Sequence, residues 1–167
     1  MQNYEHVKRN FGPVYDGNSK IIILGSFPSV KSREAAFYYG HPRNRFWPLV
    51  SRILGEEIPE DVSGRRALAL RHGIALWDVL EECDIHRSSD SSIRNPVPVD
   101  ISLITDSCSI RAIFCNGETS YKLYRKHLEP VTGMEAVKLP STSPANAVAG
   151  IAELEGKWRA ILPFLIS

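Results

Sequence analysis

The amino-acid sequence predicts an α/β protein: three layers, α/β/α, around a central, mostly parallel sheet of about four strands. Two observations carry this. Short apolar runs near residues 21, 74, 111 and 136 have the length of strands buried on both faces, and segments of helical period lie between them. Strand and helix alternating in this way close into a parallel sheet sandwiched by helices. No repeat of roughly 20–50 residues and no low-complexity tract interrupts the pattern.

The first strand is Ile21 to Leu24, introduced by the turn signal Asp16-Gly17-Asn18-Ser19 and broken at Gly25. Residues 1 to 20 read as a lead-in from which Phe11, Val14 and Tyr15 pack beside that strand, with no catalytic role. Arg45 to Leu54 has helical period, tolerates Pro48 near its start and ends at Gly55. Pro59 to His72 is a second helix, with Glu60 and Asp61 at its positive end and Arg71 and His72 at its negative end. Gly73 to Trp77 is the second strand, closed by Asp78. Cys83 to Asp100 is expected to be irregular, either a binding loop or a solvated one. A short helix over Ile101 to Ser107, a third strand over Ile110 to Cys115, a helix over Glu118 to His127, a fourth strand over Ala136 to Leu139 and a final helix over Glu153 to Leu162 complete the chain.

Composition bounds what this fold can do. The 167 residues fit one domain, 1–167, large enough to bury a core without staples, and 43% hydrophobic with 23% charged residues excludes disordered, collagenous and fibrous classes. The longest apolar runs fall far short of the ~18 residues of a membrane span. The N-terminus lacks the apolar core of a secretory signal, so a cytoplasmic monomer with no membrane partner is expected. Cys83, Cys108 and Cys115 have no zinc-site spacing, which predicts reduced thiols and no metal. Net charge is only +1, but Lys31, Arg33, Arg43, Arg45 and Arg52 face the single acid Glu34 in their stretch. A near-neutral chain can therefore present one basic face, although a plain solvated face has the same composition.

Chemistry concentrates between residues 25 and 47. Gly25-Ser26-Phe27-Pro28-Ser29 leaves the first strand with small, hydroxylic and aromatic groups at the carboxyl end of a parallel sheet, where ligands collect. Phe37-Tyr38-Tyr39-Gly40-His41-Pro42-Arg43-Asn44-Arg45-Phe46-Trp47 then packs five aromatics, an imidazole, two guanidiniums and a carboxamide into eleven residues. Asn44 sits at a helix start, where it either caps the helix or serves a site. Asp78 either accepts from a ligand N–H or caps a helix over Val79 to Glu82. Phe46 and Trp47 either stack on a ligand or belong to the core. Asn116-Gly117 reads as a backbone-shaping turn, and Pro140-Ser141-Thr142-Ser143-Pro144 as a binding loop or a simple turn.

The GSFPS turn followed by FYYGHPRNRFW resembles the uracil-DNA glycosylase superfamily, and most of all its hypoxanthine-DNA glycosylase branch; its mismatch-specific uracil glycosylases are similar at HP-x-NRFW. GIALWDVL, AIFCNG and LPSTSPANA follow in the expected order. The resemblance implies a monofunctional enzyme that hydrolyses the N-glycosidic bond of a deaminated base in DNA, hypoxanthine first, uracil or xanthine as further substrates, with no cofactor. The four-cysteine iron-sulfur cluster of some branches cannot form on three cysteines. This branch lacks the acidic residue or Asn of other first motifs, having Ser26 there, and its catalytic Asn matches Asn44. Gly25, Ser26, Phe27, Phe46 and Asp78 are the expected base contacts. Ser29, Lys31, Arg43, Arg45, Ser141, Thr142 and Ser143 are the expected DNA contacts, the last three on a loop that enters the minor groove. The expected role of Asn44 is to steer water through its oxygen and to donate through its amide nitrogen. A noncatalytic α/β module that binds nucleotides or nucleic acid is the alternative from another class.

Overall fold

A computed structural model describes residues 3–146 and 150–166. The apolar run Ile21–Gly25 forms β2, wholly buried, because both its neighbours in the sheet are strands and both its faces are covered. The central sheet has the order β3-β2-β6-β7, with β3 at Ile74–Asp78, β6 at Ala112–Asn116 and β7 at Ala136–Leu139, every pair parallel. Val14, bonded in both directions to Leu76, occupies the middle of the outer edge of β3.

Helices follow the expected plan with shifted ends. Helix α1 spans Val30–Ala35, capped by the Ser29 hydroxyl, and α2 spans Phe46–Leu54, ending in left-handed Gly55. Helix α3 spans Val62–Arg71 and begins three residues after Pro59, because the Asp61 side chain takes the Gly64 N–H at 2.7 Å and makes itself the cap. Short α4, Ser102–Thr105, precedes β6, and α5, Glu118–His127, packs on β6 and β7 and leads into α6, Glu129–Thr132. The final helix is α7, Ile151–Trp158, which passes through a tight turn at Arg159–Ile161 into α8, Leu162–Leu165.

A second sheet corrects the sequence reading. Glu5–Lys8 forms β1, Leu80–Ile85 forms β4 and Arg94–Pro98 forms β5, antiparallel in the order β1-β4-β5. The lead-in therefore contains a strand, and the supposedly irregular stretch contains half of β4 and all of β5. No helix follows Asp78, so its alternative role as a cap falls away. The two prolines of β5 are tolerated because it lies at a sheet edge and its pairing is already interrupted by register shifts.

An aromatic cluster fixes the segment between α1 and α2. Tyr39 stacks on Phe46 at 4.0 Å between centroids, Phe46 meets Trp158 edge-on, Phe37 stacks on Trp47, and the Trp47 indole donates to the Tyr38 carbonyl at 3.0 Å. The Trp158 indole donates to Pro140 O at 2.9 Å and anchors the loop after β7. Cys83 and Cys115 are buried, which pushes their thiols up to about 11 and about 12 and leaves them protonated at neutral pH. Among the described residues, no helix is long and apolar enough to cross a membrane, and no three metal-binding side chains converge.

Candidate active site

Strands β2 and β3 end level, with Gly25 paired to Asp78. This places the Asp78 carboxyl over the Gly25 backbone at the carboxyl edge of the sheet. Only glycine permits the approach: a Cβ at position 25 would stand 2.4 Å from Asp78 Oδ1. Asp78 is 5% exposed, and its Oδ2 lies 3.2 Å from Arg9 Nη1, an ion pair without hydrogen-bond geometry. Burial pushes the carboxyl up from its ordinary range, and the Arg9 charge offsets only part of that rise.

Asn44 reaches the same place from the start of α2. Its Oδ1 accepts the Phe46 N–H at 2.9 Å and the Thr142 hydroxyl at 2.8 Å. Because a backbone N–H can only donate, the oxygen end of the carboxamide is fixed there, and the NH2 end is the one left for a ligand. Thr142 is held in turn by Asn116, whose Nδ2 donates to the Thr142 hydroxyl at 3.0 Å and whose Oδ1 accepts the Thr142 N–H at 3.0 Å. Asn44 therefore takes the first N–H of α2 from one residue before the N-cap, Arg45, and also stands on the cavity wall. Both lone-pair positions of its oxygen are taken, so the oxygen expected to steer water is already engaged within the protein.

These groups line one cavity of about 1270 Å³. Its walls are the turn from Gly25 to Ser29, Tyr39, Asn44, Asp78, the segment 87–91, Asn116 and the loop 140–146. The volume exceeds the ~300–1,000 Å³ of ordinary small-molecule sites and has room for a nucleotide with flanking backbone. Among the sequence-predicted residues, Gly25, Ser26, Phe27, Ser29, Lys31, Asn44, Asp78, Ser141, Thr142 and Ser143 all line it. Phe27 is 7% exposed, and the Arg33 guanidinium lies 5.8 Å from its ring centroid.

Three predicted residues stand elsewhere. Phe46, 1% exposed, is enclosed by Tyr39, Trp47 and Trp158; it belongs to the core and offers a base no face. Arg43 is exposed and off the cavity wall. Arg45 spends its guanidinium on Ser143 O at 3.1 Å and Asn146 O at 2.8 Å, and its N–H on Thr142 O, so it shapes the loop from behind. Thr142 is wholly buried, with its hydroxyl committed to Asn44 and Asn116, and is a support for the site instead of a phosphate contact. Ser141 and Ser143 also make the local turn, each hydroxyl accepting a backbone N–H two residues on. The last residue of the LPSTSPANA motif, Ala147, lies outside the described residues.

Several residues of the site escaped the sequence reading. Arg9 arrives from the end of β1, and Asn116 contributes its side chain as well as its turn. Tyr39, singled out only within an aromatic group, lines the cavity with Tyr38 while Phe37 stays in the core, and its hydroxyl is buried without a hydrogen-bond partner among the described residues. Burial and the nearby Asp78 raise the pKa of that hydroxyl, so it is a donor at any physiological pH. Asp90 stands at the mouth, open to solvent yet ringed by the cavity walls, which raise its pKa while Ser26 opposes them. The signal for Arg9 is weak even in hindsight, since nothing in EHVKRN separates a buried arginine from the exposed Lys8.

Comparison with known proteins agrees with this architecture. Residues 13–161 match the Uracil DNA glycosylase superfamily. The chain is 35% identical over 157 residues to a protein named hypoxanthine DNA glycosylase from Methanosarcina acetivorans, covering 93% of this chain and 98% of that one. It is 36% identical over 141 residues to a protein of the same name from Methanosarcina barkeri, covering 83% and 88%. The solution NMR structure of a candidate uracil DNA glycosylase from Methanosarcina acetivorans superposes with a TM-score of 0.77 at 33% identity, over 93% of this chain and 98% of the other. With the family model covering residues 13–161 and relatives above 30% identity along most of its length, the chain belongs to the uracil DNA glycosylase superfamily.

Proposed function

We infer that this chain is a monofunctional DNA glycosylase that hydrolyses the N-glycosidic bond of a deaminated base in DNA, with hypoxanthine as its principal substrate and uracil or xanthine as lesser ones. The observation that carries the reading is that the Asn44 amide and the turn from Gly25 to Ser29 line the same cavity. The names of the two Methanosarcina relatives support hypoxanthine as the base.

Extruding a nucleotide from the duplex costs a few kcal/mol, least at a damaged or mispaired base, and the cavity offers compensation. Phe27 stacks on the base. Asp78 Oδ1, turned to the strand end, accepts a ring N–H, and the N–H groups of Ser26 and Phe27, beyond the last ladder pair, donate to a carbonyl. As the bond breaks, its electron pair passes to the base and positive charge develops on the sugar. Asn44 Nδ2 donates to the departing base or to the incoming water without changing protonation state, because a carboxamide does not titrate near neutrality. Water adds its oxygen to the sugar carbon and its proton ends on the base, so the reaction balances with no other reagent. Lys31, Lys138 and Lys157, the lysines on the cavity wall, are all exposed. None has the desolvation that an amine nucleophile for strand cleavage requires.

The test is incubation with duplexes carrying one hypoxanthine, uracil, xanthine or adenine, followed by hot alkali. Strand breaks only after alkali, strongest for hypoxanthine, are expected. Binding without breaks on any duplex would reduce the protein to a recognition module, and breaks before alkali would contradict a monofunctional enzyme.

A further inference from the structure

Asp78 meets the base in this reading, but its buried partner Arg9 does not. Both side chains are nearly inaccessible, 2% and 7% exposed. The other Arg9 donors are spent on Phe11 O at 2.9 Å, Leu80 O at 3.4 Å and the Tyr38 hydroxyl at 3.0 Å, with the Phe11 and Tyr38 rings flanking the guanidinium. The backbone of Arg9 is pinned by its N–H to Glu81 O at 2.9 Å, one step beyond the pairing of β1 with β4. Held on this many sides, the guanidinium cannot swing out to a phosphate.

A buried ion pair is a poor device for stability, because apolar groups of the same volume serve as well or better. Its effect here falls on the carboxyl. Burial and Arg9 set the charge of Asp78, and Asp78 in turn disfavours the charged forms of its titratable neighbours Tyr38, Tyr39 and Asp90. Without Arg9, burial would favour the protonated acid.

Charge at this carboxyl matters because of what deamination does to a base. Adenine presents a ring nitrogen that accepts and an amino group that donates. Hypoxanthine presents a ring N–H that donates and a carbonyl that accepts. An ionised carboxylate can only accept, so it pairs with the deaminated ring N–H and meets the lone pair of adenine N1 with repulsion. A protonated carboxyl could donate to that lone pair and would lose the distinction.

Building on the glycosylase reading above, we propose that Arg9 is a positioning residue for base selection: by occupying Oδ2 of Asp78 from the second sheet, it keeps Oδ1 an anionic acceptor at the cavity and so restricts the site to bases that carry a ring N–H. The small antiparallel sheet then has a purpose, which is to deliver this one guanidinium.

The test is the pH profile of single-turnover base release from a hypoxanthine duplex for the unmodified chain, Arg9→Gln and Arg9→Lys. Arg9→Gln is expected to move the acid limb to higher pH by about one unit or more, with rate lost at pH 7 and recovered in alkali, while Arg9→Lys stays near the parent profile. A loss by the same factor at every pH, with the limb unmoved, is what a purely structural role would give and overturns the proposal. Should Arg9→Gln not fold, the carboxyl carbon of Asp78, assigned by Asp78→Asn, is titrated by 13C NMR in the unmodified chain. Ionisation at pH 7 supports the proposal, and a protonated carboxyl there overturns it. An unmodified chain that releases no base from any duplex fails the glycosylase reading and this one with it. An active parent with an unmoved limb fails Arg9 alone.

Discussion

Replacing Thr142 by valine deletes one oxygen from the support of Asn44 and changes little else. Valine has nearly the shape of threonine, and the site is wholly buried, so packing is preserved. Two hydrogen bonds go: the one donated to Asn44 Oδ1 at 2.8 Å and the one accepted from Asn116 Nδ2 at 3.0 Å. A net hydrogen bond is worth about 1 kcal/mol, and an amide donor left unpaired costs roughly 1–3 kcal/mol, so the urea midpoint should show a loss of about 2 kcal/mol. The consequence for rate is separate. The Phe46 N–H still holds Asn44 Oδ1 at 2.9 Å, which loosens the carboxamide without releasing it. Slackening of an oriented group by about one hydrogen bond predicts a fall of about tenfold in single-turnover base release, within the range that small misplacements produce. Thr142→Ser, which keeps the hydroxyl, should retain most of the rate. The assay is single-turnover cleavage of a hypoxanthine duplex beside urea melts of all three proteins. If Thr142→Val is destabilised as predicted but releases base at the parent rate, the orientation of Asn44 does not depend on this network and the argument is refuted.

Three further outcomes follow from the structure. Gly25→Ala puts a Cβ 2.4 Å from Asp78 Oδ1, so the strand end or the carboxylate must shift; base release should collapse while urea melts show a loss of roughly 1–3 kcal/mol. Glu56 is gripped by Arg71 and His72, which hold its carboxyl down at about 2 in the folded chain against an ordinary 4.5. Its contribution is therefore complete above about 4.5 and disappears as pH falls through about 2, so Glu56→Gln should lower the Tm at pH 7 by more than at pH 3. Lys31 is exposed on the cavity wall with only a loose partner, Glu34 at 3.4 Å. If it meets a phosphate, Lys31→Ala should reduce the log–log salt slope of DNA binding by about 0.9, read by fluorescence anisotropy across salt concentrations.

The central sheet was legible because β2, β3 and β6 are short apolar runs buried on both faces, a pattern that only tertiary burial explains, while β7 at the edge is half exposed. Ile21–Gly25 and Ala136–Leu139 emerge where the sequence placed them. The second sheet was hidden for the opposite reason. In Leu80–Ile85 three acids share six positions, and Arg94–Pro98 holds two prolines, so neither carries a strand's usual composition; the first is held by pairing on both sides, and the second is viable at the sheet edge with its pairing interrupted. At the site, Gly25, Asp78 and Asn44 were legible because strand ends and helix starts are where backbone geometry gathers function. Phe46 misled because a residue on an amphipathic helix next to a motif looks the same whether it faces the core or the cavity. Arg9 and the Asn116 side chain could not be found by pattern at all, since their meaning lies in partners distant along the chain.

The central claim is that the NH2 of Asn44 acts on the bond being broken. Its most direct test is single-turnover release of hypoxanthine by Asn44→Ala, with binding to the same duplex and the thermal midpoint measured in parallel. The account predicts intact folding, DNA affinity close to that of the parent, and a rate about 100 to 1,000 times lower, as for removal of one pre-oriented donor. Base release at the parent rate by the folded variant would contradict it.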